Sequence, residues 1–162
     1  MRFKNTTETN LVPSVYMIIV AAFITNIFVN IELMNSDTES TMTFSHFLPN
    51  IVLLLFGIYF HRIAQLFDFD SDGETLNFKN NGVVFSKFME YRVKRAEFPK
   101  MKLLGFKVMD FGIYSILIIY IRSRSKRGSR KYRFNITFLA RKKKRGMIES
   151  LNKVLEKNKA VS

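Results

Sequence analysis

Leu11-Val-Pro-Ser-Val-Tyr-Met-Ile-Ile-Val-Ala-Ala-Phe-Ile-Thr-Asn-Ile-Phe-Val-Asn-Ile31 contains no charged side chain. At a rise of about 1.5 Å per residue, a helix of roughly 20 such residues spans the ~30 Å hydrocarbon core of a bilayer. A second run, Phe44 to Phe60, is also without full charge, and its centre Ile51-Val-Leu-Leu-Leu-Phe-Gly-Ile-Tyr-Phe60 is as apolar as the first. The pair reads as two transmembrane helices, at about 11–31 and 44–62. Pro13 and Pro49 lie near the starts of these runs, where a missing backbone N–H costs little because the first helical donors have no partner within the helix. A secretory leader would show a shorter apolar core and small residues at its cleavage site; Val29-Asn30-Ile31-Glu32 offers no such site.

Outward from these runs, charge is sharply partitioned. Residues 1–10 carry Arg2, Lys4 and Glu8, and residues 31–47 carry Glu32, Asp37 and Glu39 with no Lys or Arg. From His61 onward, 24 Lys and Arg stand against nine Asp and Glu. Because basic flanks resist translocation, both termini are expected in the cytoplasm, with Asn35 to Met42 outside. The expected organisation is an N-terminal tail and membrane hairpin over 1–66, then a basic cytoplasmic domain over 67–162. No Asp, Glu, Lys or Arg interrupts either run, which argues against an ion or proton pathway. Asn26 and Asn30 are four apart on one helix face, and with Asn50 in the second run they are candidates for a helix–helix contact.

Beyond Arg62 the pattern turns from helical to alternating. Phe67–Asp70 and Thr75–Lys79 read as strands joined by a tight turn at Asp72-Gly73, and Asn80-Asn-Gly82 reads as the next turn. Val83–Phe88, Tyr91–Phe98, Leu103–Met109, Ile113–Arg122 and Tyr132–Leu139 are further strand candidates. They are separated by Pro99, by Asp110-Phe-Gly112 and by Ser123–Arg130. Ile113 to Ile121 is too short for a third span and suits a well-covered central strand. Met147, Ile148, Leu151, Val154 and Leu155 fall on one face of a terminal helix at about 141–158.

Two spans followed by Phe67-Asp-Phe-Asp-Ser-Asp-Gly-Glu-Thr-Leu, Lys94-Arg-Ala-Glu-Phe-Pro-Lys100, Ser115-Ile-Leu-Ile-Ile-Tyr-Ile121 and a basic C-terminal helix resemble small bacterial membrane proteins, seen in Bacteroidota, that carry a pleckstrin-homology-like domain. The resemblance implies a membrane α-helical hairpin joined to an α+β or all-β domain of antiparallel strands with one C-terminal helix. It also implies a binding or scaffolding role in the bacterial inner membrane.

With no cysteine in the chain, disulfides, thiolate metal sites and cysteine nucleophiles are excluded. Asp68-x-Asp70-x-Asp72-Gly73 matches the first half of a calcium-binding loop, but Lys79 stands where that loop needs a bidentate Glu, so a solvated hairpin turn is expected. His46 and His61 are expected at opposite interfaces and cannot share a site. No glycine-rich phosphate loop is present, so neither catalysis nor a cofactor is expected. The candidate contact residues are basic: Arg122, Arg124, Lys126, Arg127, Arg130 and Lys131 in one cluster, Arg141, Lys142, Lys143, Lys144 and Arg145 in another. Held near an anionic leaflet, each such charge gains about 1 kcal/mol. The expected partners are the lipid bilayer itself and either a membrane protein complex or anionic lipid. A nucleic acid or ribosome contact is the alternative, since phosphate neutralisation draws on the same charge.

Overall fold

The computed structural model describes residues 1–36, 47–83, 93–123 and 128–160, which fall into two compact units: Leu11–Arg62, and Met1–Asn10 together with Ile63–Ser162. The first ten residues thus belong with the C-terminal portion. The expected division at residue 66 is redrawn accordingly.

The Leu11–Arg62 unit is built from α2 (Val12–Ser36) and α3 (Leu48–Ile63), with α1 (Thr6–Thr9) preceding them in the other unit. Pro13 and Pro49 both sit in a first helical turn, as expected. Val12–Glu32 is long and apolar enough to cross a membrane, with only 6% of its apolar window buried; the apolar helix Leu48–Ile63 is shorter. The second run was expected to begin at 44; positions 44–46 lie outside the described residues, and Phe47 is a turn. On α2 Val12 is buried and the half-buried positions are Val15, Tyr16, Ile19, Phe23, Asn26 and Asn30, recurring at intervals of three and four beyond Tyr16. On α3 they are Asn50, Leu53, Gly57, His61 and Ile63, with Phe60 buried. The two stripes mark the sides on which the helices meet. The Tyr16 and Phe60 rings meet edge to face at 5.4 Å, the Tyr16 hydroxyl lies 2.9 Å from His61 Nδ1, and Gly57 leaves a gap that Ile19 borders. Away from the seam the helices expose large apolar side chains, Met17 by 74%.

The other unit holds two antiparallel sheets. One has the order β1 (Arg2–Lys4), β2 (Gln65–Asp70), β3 (Thr75–Gly82), β4 (Lys94–Pro99); the other runs β5 (Leu103–Asp110), β6 (Ser115–Arg122), β7 (Ser129–Asn135). Helix α4 (Arg141–Ala160) closes the chain, close to its expected limits. The alternation is as read: Phe67, Phe69, Leu76 and Phe78 from one sheet and Leu117, Ile119, Ile121 and Phe134 from the other point into a single core, covered by Met147, Leu151 and Val154 of α4. Phe78 joins the layers, with ring centroids 5.1 Å from Phe69, 5.9 Å from Phe98 and 5.5 Å from Phe134. Such pairs are worth about 0.5–1.5 kcal/mol beyond their burial. β2 and β3 are joined in this stretch as expected, but the turn falls at Gly73-Glu74 and is wider than a two-residue hairpin, since Asp70 pairs with Asn77; Gly73 sits at φ 69°, a region open to glycine at no steric cost. Asn158 Nδ2 anchors the end of α4 by donating to the carbonyls of Lys100 and Leu103 at 2.8 and 3.1 Å.

Three expectations are corrected. Asn80-Asn-Gly82 is not a turn; it continues β3 in register with Gln65, Leu66 and Phe67. Local turn propensity loses to tertiary bonding there, because the buried Asn80 amide donates to Gln65 Oε1 at 2.8 Å and to the Asn135 carbonyl at 3.1 Å. The last strand runs Ser129–Asn135 rather than Tyr132–Leu139. Asn135 Oδ1 accepts from the Thr137 N–H and hydroxyl at 2.9 and 2.6 Å and turns the chain, while Ile136 and Leu139, which imitate a strand pattern, are buried beyond it. The strand expected at Ile113–Arg122 begins at Ser115. Of the strand expected at Val83–Phe88, residues 84–88 lie outside the described residues and Val83 is a bend; the next begins at Lys94.

The N-terminal tail is the element that sequence reasoning missed. Arg2, Phe3 and Lys4 pair with Asp70, Phe69 and Asp68. Phe3 faces Phe69 at 5.4 Å, while Arg2 and Lys4 meet Asp70 and Asp68 at 3.7 and 3.2 Å on the outer face. Asn5, fully buried, extends the pairing with its side chain: Oδ1 accepts from the Phe67 N–H at 2.7 Å and Nδ2 donates to the Gln65 carbonyl at 3.3 Å. Removing one partner of a buried hydrogen bond costs about 1–3 kcal/mol. Asn5→Ala is therefore expected to lower stability by about that amount, read as an earlier loss of β-sheet circular dichroism on heating the intact chain. A midpoint equal to that of the parent would count against the role given to Asn5.

Candidate interaction surface

The strand alternation that builds the core also builds an opening in it. Along the inward row of β4 the side chains run Phe98, Ala96, Lys94, and along that of β7 they run Phe134, Tyr132, Arg130. Burial falls in the same order on both strands, from buried Phe98 and Phe134 to exposed Lys94 and Arg130. The two sheets therefore part at this corner. An open cleft of about 600 Å³ lies between them, lined by Val93, Lys94, Arg95, Lys131, Tyr132, Arg133 and Phe134. Its floor is aromatic and its rim cationic.

The rim charges are set by neighbours. Arg95 is held by Glu97 at 2.6 Å, so part of its charge is spent locally. Lys131 Nζ stands 5.7 Å from the centre of the Tyr120 ring, a cation–π contact worth about 0.5–1 kcal/mol when exposed. Among the described residues, Lys94, Lys131 and Arg133 have no carboxylate partner. The cleft also lies between two sheet margins, since β4 pairs with β3 and β7 with β6, each at the end of its described sheet.

The expected basic residues divide into three groups. Arg122, Arg130 and Lys131 are exposed on β6 and β7, and of these Lys131 lines the cleft. Arg124, Lys126 and Arg127 lie outside the described residues. The other five open α4, where Arg141, Lys142 and Arg145 are exposed and Lys143 and Lys144 are half-buried. Those two act as internal ties: Lys143 Nζ donates to the Lys4 carbonyl at 2.8 Å, and Lys144 Nζ donates to Asp110 Oδ2 at 2.7 Å and Ser115 Oγ at 3.3 Å. Cations in a first helical turn oppose the helix dipole, and the Asp110 carboxylate offsets that repulsion for Lys144. Lys94 and Arg95 were not among the expected contact residues, and Arg133 closes the basic run Arg122 to Arg133. The signal for Lys94 was the run from apolar to cationic along one face of β4, legible only when the partner strand is known, whereas Arg95 and Arg133 alternate with the inward rows on the other face of their strands.

Asn26 and Asn30 share a hydrogen bond along α2, Nδ2 to Oδ1 at 2.9 Å, and Asn50 lies on the facing stripe of α3. Asp68 and Asp70, the first two positions of the calcium-like pattern, are engaged by Lys4 and Arg2. Among the described residues no three His, Cys, Asp or Glu side chains are grouped to hold a metal ion. His46 lies outside the described residues. No protein-family model matches the chain, nor does any curated protein or solved structure.

Asp110 has its pKa lowered from 3.8 to about 2, by hydrogen bonds from Lys144, Ser115 and the Gly112 N–H and by the Lys144 charge. A carboxylate depressed in the folded state contributes stability that is whole above its unfolded value and lost as the pH falls through its folded one. Asp110→Asn is expected to flatten the loss of stability between pH 3.8 and about 2, measured by chemical unfolding across that range. An unchanged slope would show that the Asp110–Lys144 pair does not hold the head of α4 in solution.

Proposed function

We propose that this is a noncatalytic protein of the bacterial inner membrane, crossing it twice through α2 and α3. Its β domain, of pleckstrin-homology-like organisation, then lies in the cytoplasm and engages a protein partner or the anionic membrane surface, as an accessory subunit of a larger complex. One observation carries the reading: β1 and β2, which flank the helix pair in sequence, are hydrogen-bonded to each other. A chain whose flanking strands pair must cross any bilayer an even number of times between them. With α2 long and apolar enough to span, α3 supplies the return.

Other features support it. The exposed apolar side chains around both helices suit a hydrocarbon solvent. At about 1.5 Å per residue, the 16 residues of α3 reach roughly 24 Å, a shortfall that local thinning and side chains reaching for the interface accommodate. Arg62 and Tyr59 lie at that end. The acidic connection and the basic domain accord with retention of Lys and Arg on the cytoplasmic side. Four and three antiparallel strands closed by one helix is the order of elements in the pleckstrin-homology fold.

The protein is expected to remain with membranes through an alkaline carbonate wash and to be released by detergent. Protease added to intact spheroplasts is expected to leave the portion after Arg62 uncut. A freely soluble protein, or digestion of that portion from outside, would overturn the reading. Tight RNA binding with a steep salt dependence in a mobility-shift titration would favour the nucleic-acid alternative instead.

A further inference from the structure

Resting on that reading, we infer that the cleft between β4 and β7 is the domain's partner site, and that its occupant is an extended acidic segment of another protein, lying along a sheet margin with an apolar side chain on the Tyr132–Phe134 floor. Three observations converge on this occupant. The cleft is bounded by two terminal strands of the described sheets, and a sheet margin offers a row of backbone donors and acceptors that an added strand satisfies. The rim carries Lys94, Lys131 and Arg133 without carboxylate partners among the described residues, which is complementary to acidic side chains. The floor is aromatic, with Phe134 buried and Tyr132 half-exposed, so specificity does not rest on charge alone.

The spacing fits a strand. From Arg130 to Phe134 the margin of β7 covers about five residues at ~3.3 Å each, and alternate side chains of an added strand would reach the floor and the rim in turn. The same lysines and arginines deter pairing with a second cationic copy, the usual protection of an open sheet edge. An acidic strand is therefore selected both by attraction and by the exclusion of its competitor. A flat anionic lipid surface could use the rim, but neither the backbone margin nor the aromatic floor.

The test uses the full-length protein in nanodiscs of zwitterionic lipid and a fluorescein-labelled seven-residue peptide alternating Glu with Val and Phe. Binding is read by anisotropy. The expected result is saturable binding that weakens with salt, at least about tenfold weaker in the Lys131→Glu, Arg133→Glu double variant. Arg141→Glu with Lys142→Glu, exposed on α4, should bind as the parent does. A peptide N-methylated at alternate backbone nitrogens should bind at least about tenfold more weakly, because a margin-bound strand loses its hydrogen bonds. Equal binding of the methylated peptide, or insensitivity to the cleft reversals with the circular dichroism unchanged, would overturn the assignment. So would capture of anionic vesicles abolished by the same reversals in a protein that ignores the peptide. Failure here with membrane retention intact removes the cleft as the site and leaves the membrane reading standing; loss of membrane retention removes that reading.

Discussion

The hydrogen-bonded pairing of β1 with β2 constrains everything else in this chain. The strand Arg2–Lys4 is too short to persist alone. It is held by the Phe3 ring on Phe69, by two exposed ion pairs on the other face, and by Asn5, whose buried amide continues the ladder where the backbone must leave it. Exposed pairs of that kind are worth about 0–1 kcal/mol each, so the aromatic contact and the buried amide dominate. Because the chain leaves the sheet through α1 after Asn5 and returns to β2 just after α3, its departure and return points on the sheet are fixed side by side. A set of buried amides marks that place: Asn5 bonds the Gln65 carbonyl, Asn80 bonds the Gln65 side chain and the Asn135 carbonyl, and Asn135 Nδ2 bonds the Ile63 carbonyl at 3.0 Å.

Much of the architecture was legible because its signals are local. The apolar run of α2, the turn at Gly73, the β-branched strand β6 and the amphipathic face of α4 each announce themselves within a window of a few residues. What escaped notice depends on contacts far away in sequence. Arg2 and Lys4 read as charges that orient a membrane helix, and nothing nearby says that Asp70 and Asp68 face them. Asn80-Asn-Gly82 has turn composition, and only the Gln65 and Asn135 acceptors, 15 and 55 residues away, make a strand of it.

The basic surface was legible as composition and not as geometry. A run such as Arg141 to Arg145 reads as five equivalent charges, yet the helix turns two of them inward, to the Lys4 carbonyl and to Asp110. The residues that line the cleft are scattered through Lys94-Arg-Ala-Glu-Phe and Lys131-Tyr-Arg-Phe, where charged and apolar side chains alternate. In a one-dimensional reading such alternation means an ordinary half-buried strand. Only the parting of the two sheets converts it into a cleft.

The Asn5–Phe67 bond joins positions 62 residues apart, and every residue of the helix pair lies between them. Contacts of such long separation form slowly, because the intervening loop must close before they are rewarded. During synthesis β1 emerges before β2, and it has no mate until translation has passed Asp70. A chain interrupted anywhere inside the helix pair therefore carries β1 without the strand that completes its ladder.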